Sequence, residues 1–398
     1  MDTPTTLKLF DEFFRDRGHR RIRGSSLIPP DPNDTVLFVT SGMHPLIPYL
    51  QGRPHPQGRR LHNLQRCLRT TDLDEVGDGS HLTVFEMLGS WSLGDYDHSQ
   101  SLRWGWELLT DGFGLCQDRL GVTIFGGDER CDPDTDSERT WRELGLPESR
   151  ITATVTANWW EGPDGICGPD SELFVWADSG QPTGDPTTDE RWIEVWNHVS
   201  LSYRDTSSGR VELPLRCVDT GMGFERLVMI LQGAKSVYET DLFVPWTSEL
   251  CGRWRLDPET LRRLADHLRS CAVIVFDGVR PDNTGRGYVL RRLLRRVLVE
   301  LWDTDSTASL RQLDKDVVSH TLDHLGGGNV EHVLDVFHEE ECRFRRLVDR
   351  GHTLVERELV RGPLTDDRLR WLHETHGLPR DLVLRLVDRL KSGHGGDA

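Results

Sequence analysis

The chain has 398 residues, enough for two or three domains, and 36% of them are apolar against 28% charged. With 13 Trp and 13 Phe to fill cores, this composition excludes a disordered chain. The net charge of −17 means that the electrostatic field of the protein as a whole does not attract nucleic acid, so any such binding needs a local basic patch.

Three further features bound the class of protein. The longest apolar run, residues 271–276, is too short to span a membrane, and the N-terminus has no signal-peptide pattern. The eight cysteines are scattered and no two form a CxxC pair, which excludes a zinc site of the usual spacing. We therefore expect thiols in a reducing compartment, a cytoplasmic location and no membrane contact.

The first part of the chain mixes helices and strands. Apolar residues at helical spacing predict helices over 5–18, 99–110 and 221–233. Strands are predicted at 35–40, within 59–96, and at 119–126, 191–203 and 211–219. The stretch 161–190 is rich in Gly, Pro and Asp and is predicted to be a long loop. Because the elements do not alternate as βαβ units, residues 1–245 are predicted to be α+β with an antiparallel sheet.

From residue 246 onward the pattern is helical only. Helices are predicted at 259–276, 285–303, 310–325, 330–360 and 366–391. These helices predict a second, all-helical domain over 246–391. The low-complexity end, 392–398, is predicted to be a flexible tail.

Three short motifs could carry chemistry. The segment GMGFER, 221–226, follows a predicted strand that ends at Asp219; its glycines let the backbone approach a ligand, and its Arg can reach a phosphate. Arg69 stands at the base of a polar loop between two strands, where it could clamp a nucleotide. Trp159 and Trp160 could form a pocket wall, although paired Trp residues usually fill a core. Each motif alone also fits an ordinary turn, hairpin or core.

The order of the motifs is far more specific than any one of them. The groups in chain order are Arg69, Phe85-Glu86-Met87, Trp160, the turn 167–172, Trp196-Asn197 and the stretch 219–226. In this order they resemble the catalytic domain of alanyl-tRNA synthetases, a class II family, and the resemblance runs from about residue 5 to 390. It implies a class II antiparallel sheet flanked by helices that forms an aminoacyl-adenylate in residues 1–245. It also implies a helical domain that binds a tRNA acceptor stem.

The resemblance implies how ATP is bound. Arg69 would hold the α-phosphate, where negative charge builds as the carboxylate attacks, and Arg226 would bind the γ-phosphate. Phe85 would stack on adenine with Met87 nearby, and His81 would contact the phosphates. No covalent nucleophile is required, because positioning and charge neutralisation drive the transfer, with Mg²⁺ expected on the phosphates. The spacing of the acidic residues assigns no metal ligands.

The same resemblance implies an amino-acid pocket. Asp219 would pair with the substrate ammonium, since a fixed carboxylate beside a small pocket selects an α-amino acid. Trp160 and Asn197 would line the pocket, and Gly221 would keep it small. The expected substrate is alanine.

A basic patch in the helical domain would bind the tRNA. The arginines recur at i, i+1, i+4 and i+5 on one predicted helix face: Arg291, Arg292, Arg295 and Arg296. Asn283 matches a family residue that reads a G·U pair in the acceptor stem. Glu374 stands where the family has an Asp that contacts the same pair, and His376 and Leu378 replace aromatic residues of that motif.

Three functions stay open at this point. The chain stops where the family's editing domain would begin and lacks its C-terminal module, which predicts weak acceptor-stem binding and a monomer or weak dimer. The first function is a compact alanine–tRNA ligase without editing, favoured by Asn283 and the arginines. The second is transfer of alanine to a non-tRNA acceptor, a small metabolite or carrier, favoured by the missing modules and the altered segment 374–378. The third, a non-catalytic RNA-binding paralogue, is disfavoured by intact Arg69, Asp219 and Arg226.

Overall fold

The computed structural model describes residues 1–31, 34–71, 76–162, 165–207, 209–376, 378 and 380–393. The strands are β1 Arg20–Arg21, β2 Arg60–Leu68, β3 Val84–Ser92, β4 Leu120–Phe125, β5 Ile151–Thr154, β6 Trp159–Glu161, β7 Ile166–Trp176, β8 Trp192–Thr206 and β9 Gly209–Gly223. The helices before residue 260 are α1 Thr3–Asp16, α2 Ile47–Leu50, α3 His98–Glu107, α4 Thr135–Glu143, α5 Phe224–Gln232, α6 Val244–Arg253 and α7 Pro258–Phe276. The later helices are α8 Gly285–Thr304, α9 Lys315–His324, α10 Val330–Arg361, α11 Asp366–His376 and α12 Arg380–Gly393.

The described strands form one nine-stranded sheet with the order β1-β2-β3-β9-β8-β7-β4-β5, and β6 pairs with β7. All neighbours are antiparallel except the β1–β2 and β4–β5 pairs. Long antiparallel strands such as β8 and β9 can follow each other through a tight turn, so no crossover helix is needed between them. The α+β prediction is confirmed. None of the described helices is long and apolar enough to cross a membrane.

The predicted strand at 35–40 is wrong. Phe38 and Val39 are buried, but residues 35–38 form bends rather than a strand, and the Val39 N–H donates to the Leu27 carbonyl at 2.8 Å. The Val39 carbonyl accepts from the Leu68 N–H at 2.9 Å. Apolar side chains thus fill the core here without a ladder of strand hydrogen bonds.

The predicted loop over 161–190 is wrong in its first half, because β7, Ile166–Trp176, lies there inside the sheet, whereas residues 177–190 form a loop as predicted. Its polar residues hid it: Asp170 accepts from the Asn158 amide at 2.9 Å, and the Ser171 hydroxyl donates to the Thr123 carbonyl at 2.7 Å. Buried polar residues are tolerated in a strand when each is paired in this way. Polarity alone therefore misled the prediction.

The helical half follows the prediction with three differences. The single helix predicted over 366–391 is two helices, α11 and α12, and the sequence places Gly377 and Pro379, residue types that end helices, between them. Helix α6 was not predicted and spans the domain boundary predicted at 245/246; outside the helical half, α4 was not predicted either. Helix α12 ends at Gly393, inside the predicted tail, and residues 394–398 lie outside the described residues.

A buried ionic cluster joins the sheet to the helical half. Arg269 of α7 donates to Glu225 of α5 at 3.0 Å and to the Val84 carbonyl of β3 at 3.0 Å. The backbone N–H of Glu86 donates to both Glu225 oxygens, and the Glu86 carboxylate contacts His324 of α9. Burial alone would lower the pKa of His324, but the charge of Glu86 raises it overall. Helices α7 and α9 therefore hold the start of β3 in place.

Replacing Arg269 with Met is expected to lower the free energy of unfolding by about 3–5 kcal/mol. The side-chain volume is kept, but the Glu225 carboxylate loses its buried cationic partner. Urea unfolding of the two proteins measures the difference. The control is Arg253→Met, which removes a surface pair with Glu249 worth at most about 1 kcal/mol. Equal losses in both variants would contradict the role of the cluster.

Candidate active site

The strand register brings the predicted site residues to one face of the sheet. Gly89 of β3 lies opposite Gly221 of β9, and Gly221 lies opposite Asn197 of β8. Asn197 in turn lies opposite Glu172 of β7. In the adjacent row Trp91, Asp219, Val199 and Asp170 follow each other across the same four strands. Because alternate residues of a strand share a face, both rows lie on the same side of the sheet.

A cleft opens at one end of these rows. Its lining includes all five residues predicted to bind ATP together with Gly221 of the predicted amino-acid pocket: Arg69, His81, Phe85, Met87, Arg226 and Gly221. The other predicted pocket residues do not line this cleft. Asn197 pairs with Gly221 across the β8–β9 ladder, and Asp219 lies two residues before Gly221 on β9. Trp160 is half-buried and packs against a hydrophobic cluster that contains Trp91. Asn197 and Asp219 therefore lie next to the cleft on the same sheet face without lining it.

Arg69 follows the last residue of β2 and is held at the mouth of the cleft. Its N–H donates to the Thr83 carbonyl at 3.2 Å, and its Nε donates to the Thr40 carbonyl at 3.3 Å. The guanidinium lies 5.0 Å from the centroid of the Phe85 ring, a cation–π distance. A cation and an aromatic face are thus presented side by side, as a nucleotide phosphate and base require.

Arg226 projects from the first turn of α5 and lines the same cleft. Its Nη1 lies 3.3 Å from the Glu194 carboxylate of β8. The prediction placed the end of the strand at Asp219, but β9 continues to Gly223, and only Gly223 caps the helix. Gly221 is therefore a strand residue whose missing side chain leaves room, rather than part of a turn.

The end of the polar loop near His81 is fixed by Asp78. One Asp78 oxygen accepts from the N–H groups of Ser80 and His81 at 2.8 and 2.9 Å, and the other contacts His81 Nδ1 at 2.6 Å. These hydrogen bonds outweigh the burial that would raise the pKa of Asp78 and hold it well below its usual range. Arg262 of α7 donates to the Asp78 carbonyl, which ties the loop to the helical half. Residues 72–75 of this loop lie outside the described residues.

Two glycines on this face of the sheet leave room for the side chains of Met87 and Trp91. A Cβ on Gly221 would lie 2.7 Å from the Met87 sulfur, and a Cβ on Gly89 would lie 2.1 Å from the Trp91 ring. Met87 and Trp91 fold over these glycines and leave a small apolar floor. A small ligand side chain fits such a site better than a large one.

Asp219 is a buried carboxylate. It accepts a hydrogen bond from the Trp91 indole N–H at 2.5 Å. Burial raises the pKa of Asp219 to about 7, although the Trp91 bond opposes the shift. A ligand ammonium beside this carboxylate would favour its ionised form.

Two further carboxylates could bind a cation: Glu194 lines the cleft, and Glu172 lies opposite Asn197 in the neighbouring strand. Burial, and next the charge of Glu194, raise the pKa of Glu172 to about 7. The described residues contain no cluster of three or more metal-ligating side chains. Mg²⁺ commonly takes one or two carboxylates and completes its shell with water and phosphate oxygens, so Glu172 and Glu194 fit that ion.

The predicted RNA-binding residues lie on the helical half, and the structure divides them. Arg295 pairs with the buried Glu340 at 2.7 Å, and Arg296 lies 3.5 Å from Glu300 of its own helix. Asn283 accepts from Arg291. Arg292 is exposed and makes no ion pair with a described residue, and Glu374 is exposed on α11. Fewer than four arginines of the predicted basic face are therefore exposed.

Sequence reasoning missed four residues at the site: Trp91, Asp78, Glu172 and Glu194. Glu172 stands in the quoted turn 167–172, but its role was hidden while that stretch was predicted as a loop. Trp91 follows Phe85, Met87 and Gly89 at the two-residue spacing of a strand face, a signal that could have found it. Asp78 and Glu194 carry no comparable sequence signal.

Comparison with known proteins identifies the family of the chain. The profile of the family tRNA synthetases class II (A) matches residues 7–392. The alanine–tRNA ligase of Rubrobacter xylanophilus is 39% identical over 416 residues, covering 95% of this chain and 46% of that protein. The enzyme of Treponema pallidum is 45% identical (71% of this chain, 50% of that protein), and that of Borreliella afzelii 37% identical (96% and 68%).

The chain spans about half the length of the first two of these relatives. The family profile nevertheless covers almost the whole chain, and the B. afzelii protein matches over two thirds of its own length. The sheet, the cleft and the profile agree, and the chain belongs to the family tRNA synthetases class II (A).

Proposed function

We propose that this protein activates alanine with ATP to form alanyl-adenylate and transfers the alanyl group to the 3′ end of a tRNA. The observation that carries the proposal is that Arg69, Phe85 and Arg226, with Met87 and His81, line one cleft. Four of them stand around the β2–β3 connection, after the end of β2 and in the first half of β3, whereas Arg226 comes from α5, far along the chain. Their combination of two guanidiniums and an aromatic face suits a nucleoside triphosphate.

The chemistry follows from these positions. Arg69 is held beside Thr83 and Arg226 beside Glu194 of β8, so the two guanidiniums would neutralise charge at two places along a triphosphate. The amino acid would lie with its ammonium at Asp219, its small side chain over Gly221, and its carboxylate directed to the α-phosphate. In-line attack by a carboxylate oxygen forms the acyl-phosphate bond of the adenylate and releases pyrophosphate. Asn197 and Trp160 would close the pocket.

A divalent cation fits beside the phosphates. Glu172 and Glu194 are the carboxylates that would hold Mg²⁺. Burial and then the charge of Glu194 raise the pKa of Glu172, and a bound cation would offset that charge. Mg²⁺ supplies neutralisation of the phosphate charge when bound. Glu194 also orients Arg226, so this carboxylate couples the cation to the arginine.

The acceptor is proposed to be a tRNA acceptor stem at the helical half. The relatives from R. xylanophilus, T. pallidum and B. afzelii are named alanine–tRNA ligases, and none of these three names points to a metabolite or carrier as the acceptor. Asn283, Arg291, Arg292 and Glu374 are the exposed or half-exposed candidates for the RNA contact. Arg295 and Arg296 would act mainly through the fold. A cytoplasmic location and a monomer or weak dimer remain predictions.

Two assays test the function together. The first measures pyrophosphate exchange with alanine, ATP and Mg²⁺, and the second measures charging of alanine tRNA with a G·U-to-G·C acceptor-stem mutant as control. We expect alanine-dependent exchange, and charging that collapses with the mutant. Exchange without charging would point to another acceptor, and the absence of exchange would contradict adenylate formation.

Replacing Arg292 with Ala is expected to weaken tRNA charging while sparing pyrophosphate exchange. If Arg292 contacts a phosphate, a plot of the logarithm of the tRNA association constant against the logarithm of salt concentration should become less steep by about one in the variant. The matched control is Arg139→Ala on α4, an exposed arginine that pairs only with nearby Asp136. An unchanged salt slope would show that Arg292 does not contact the RNA.

A further inference from the structure

The indole of Trp91 makes the most specific contact of the amino-acid pocket. Its Nε1 lies 2.5 Å from Asp219 Oδ1, and the two side chains are 0% and 8% exposed. Among the described residues no other side chain donates a hydrogen bond to Asp219. A hydrogen bond from a buried donor to a carboxylate is stronger than one between neutral groups.

The backbone fixes this contact. Trp91 and Asp219 are directly opposite each other in the β3–β9 ladder. The ring lies over Gly89, where an added Cβ would come within 2.1 Å of it, and an added Cβ on Gly42 would lie 3.3 Å from its Cζ2. The indole is thus confined between the backbone at Gly89 and the backbone at Gly42, with its N–H directed at the Asp219 carboxylate.

We propose that Trp91 is a positioning residue for alanine recognition: its N–H holds one oxygen of Asp219 so that the carboxylate binds the substrate ammonium in a fixed orientation. This inference rests on the function proposed above, in which Asp219 binds that ammonium. A fixed carboxylate binds a cation without first losing rotational freedom, and its second oxygen remains for the ligand.

The contact also sets when the carboxylate is charged. Burial favours the neutral acid, while the indole N–H favours the ionised form. The titratable groups that share its surroundings are Tyr96, whose phenol interacts with the Asp219 charge, and Asp170 and Glu172 on the same sheet face. Neither carboxylate is a main influence on the pKa of Asp219, so loss of the indole N–H should raise that pKa directly.

The first test is Trp91→Phe, which keeps an aromatic ring and removes the N–H. We expect the KM for alanine to rise about 10-fold with the KM for ATP unchanged, because only the ammonium contact is weakened. The acidic limb of the pH profile of kcat/KM for alanine should move up by about one unit, since Asp219 is then neutral to a higher pH.

The matched control is Trp246→Phe on α6, a buried Trp whose N–H donates to Thr321 at 2.9 Å in the helical half. It should leave both the alanine KM and the pH limb unchanged. Gly89→Ala should reproduce the effect of Trp91→Phe, because the added methyl displaces the indole. An unchanged alanine KM and pH limb in Trp91→Phe would overturn the proposal.

A second measurement does not depend on activity. In wild-type protein carrying ¹⁵N-labelled Trp, the indole signal that Trp91→Phe removes should titrate with a midpoint near pH 7, the pKa of Asp219. The midpoint should vanish in Asp219→Asn. A signal that is invariant between about pH 5 and 9 would overturn the contact itself. If the signal titrates but the protein shows no alanine-dependent exchange, the contact stands and the proposed function fails.

Discussion

Replacing Arg69 with Ala is expected to reduce the rate of alanine-dependent pyrophosphate exchange by about 10²- to 10³-fold. The guanidinium stands at the mouth of the cleft, bound to the Thr40 carbonyl and beside the Phe85 ring, so its position does not depend on the ligand. A preorganised cation contributes most where charge develops, which here is the α-phosphate under attack. Removing it affects the transition state more than the bound substrates, so kcat should fall more than the KM for ATP rises.

Arg69→Lys separates charge from geometry. Lysine keeps the charge but not the planar fork that binds two oxygens, so we expect it to recover only part of the rate. Arg139→Ala, a change of an exposed arginine away from the cleft, is the control for the loss of one surface charge. Exchange by Arg69→Ala close to that of the wild type would show that this arginine does not hold the reacting phosphate.

Replacing Asp219 with Asn is expected to lower kcat/KM for alanine by about 100-fold or more, with a much smaller change for ATP. The amide has nearly the shape of the carboxylate but cannot carry the charge that pairs with an ammonium. The fold should tolerate the change, because the Asn oxygen can still accept from Trp91 and a buried charge is removed. Steady-state exchange with each substrate varied in turn measures the split.

The pH dependence gives a second readout of the same carboxylate. The pKa of Asp219 is raised to about 7, so it is neutral below that pH and ionised above it. In the wild type, alanine recognition should therefore weaken as the pH falls through about 7, and this limb should be absent in Asp219→Asn. A thermal unfolding scan of both proteins serves as the control for folding. An unchanged alanine KM in a folded Asp219→Asn protein would place the ammonium elsewhere.

Much of the fold follows from local pattern. The helix predicted over 330–360 is observed as α10, Val330–Arg361, because its apolar residues repeat at the helical period on a face that packs against the core. Strand β7 was missed for the opposite reason. Its polar residues are paired with side chains from other segments, such as Asn158 and Thr123, and those partners become neighbours only in the folded sheet.

The arginines of α8 show the same limit at a functional surface. Their spacing predicts one polar face, and Leu293, Leu294 and Val297 on the opposite face are buried as expected. The spacing does not reveal that Arg295 meets the buried Glu340 of α10. An arginine is equally common in an RNA contact and in an internal ion pair, and the residue on the facing helix decides between them.

For this protein the sequence by itself determined the types and the order of the site residues, and with them the family. The chemistry of Arg69, Phe85, Asp219 and Arg226 is readable one residue at a time, because it depends on the side chain alone. Only the tertiary structure decided that Trp91 lies opposite Asp219. Such a contact joins strands more than a hundred residues apart, and it depends on a register that packing of the whole sheet selects.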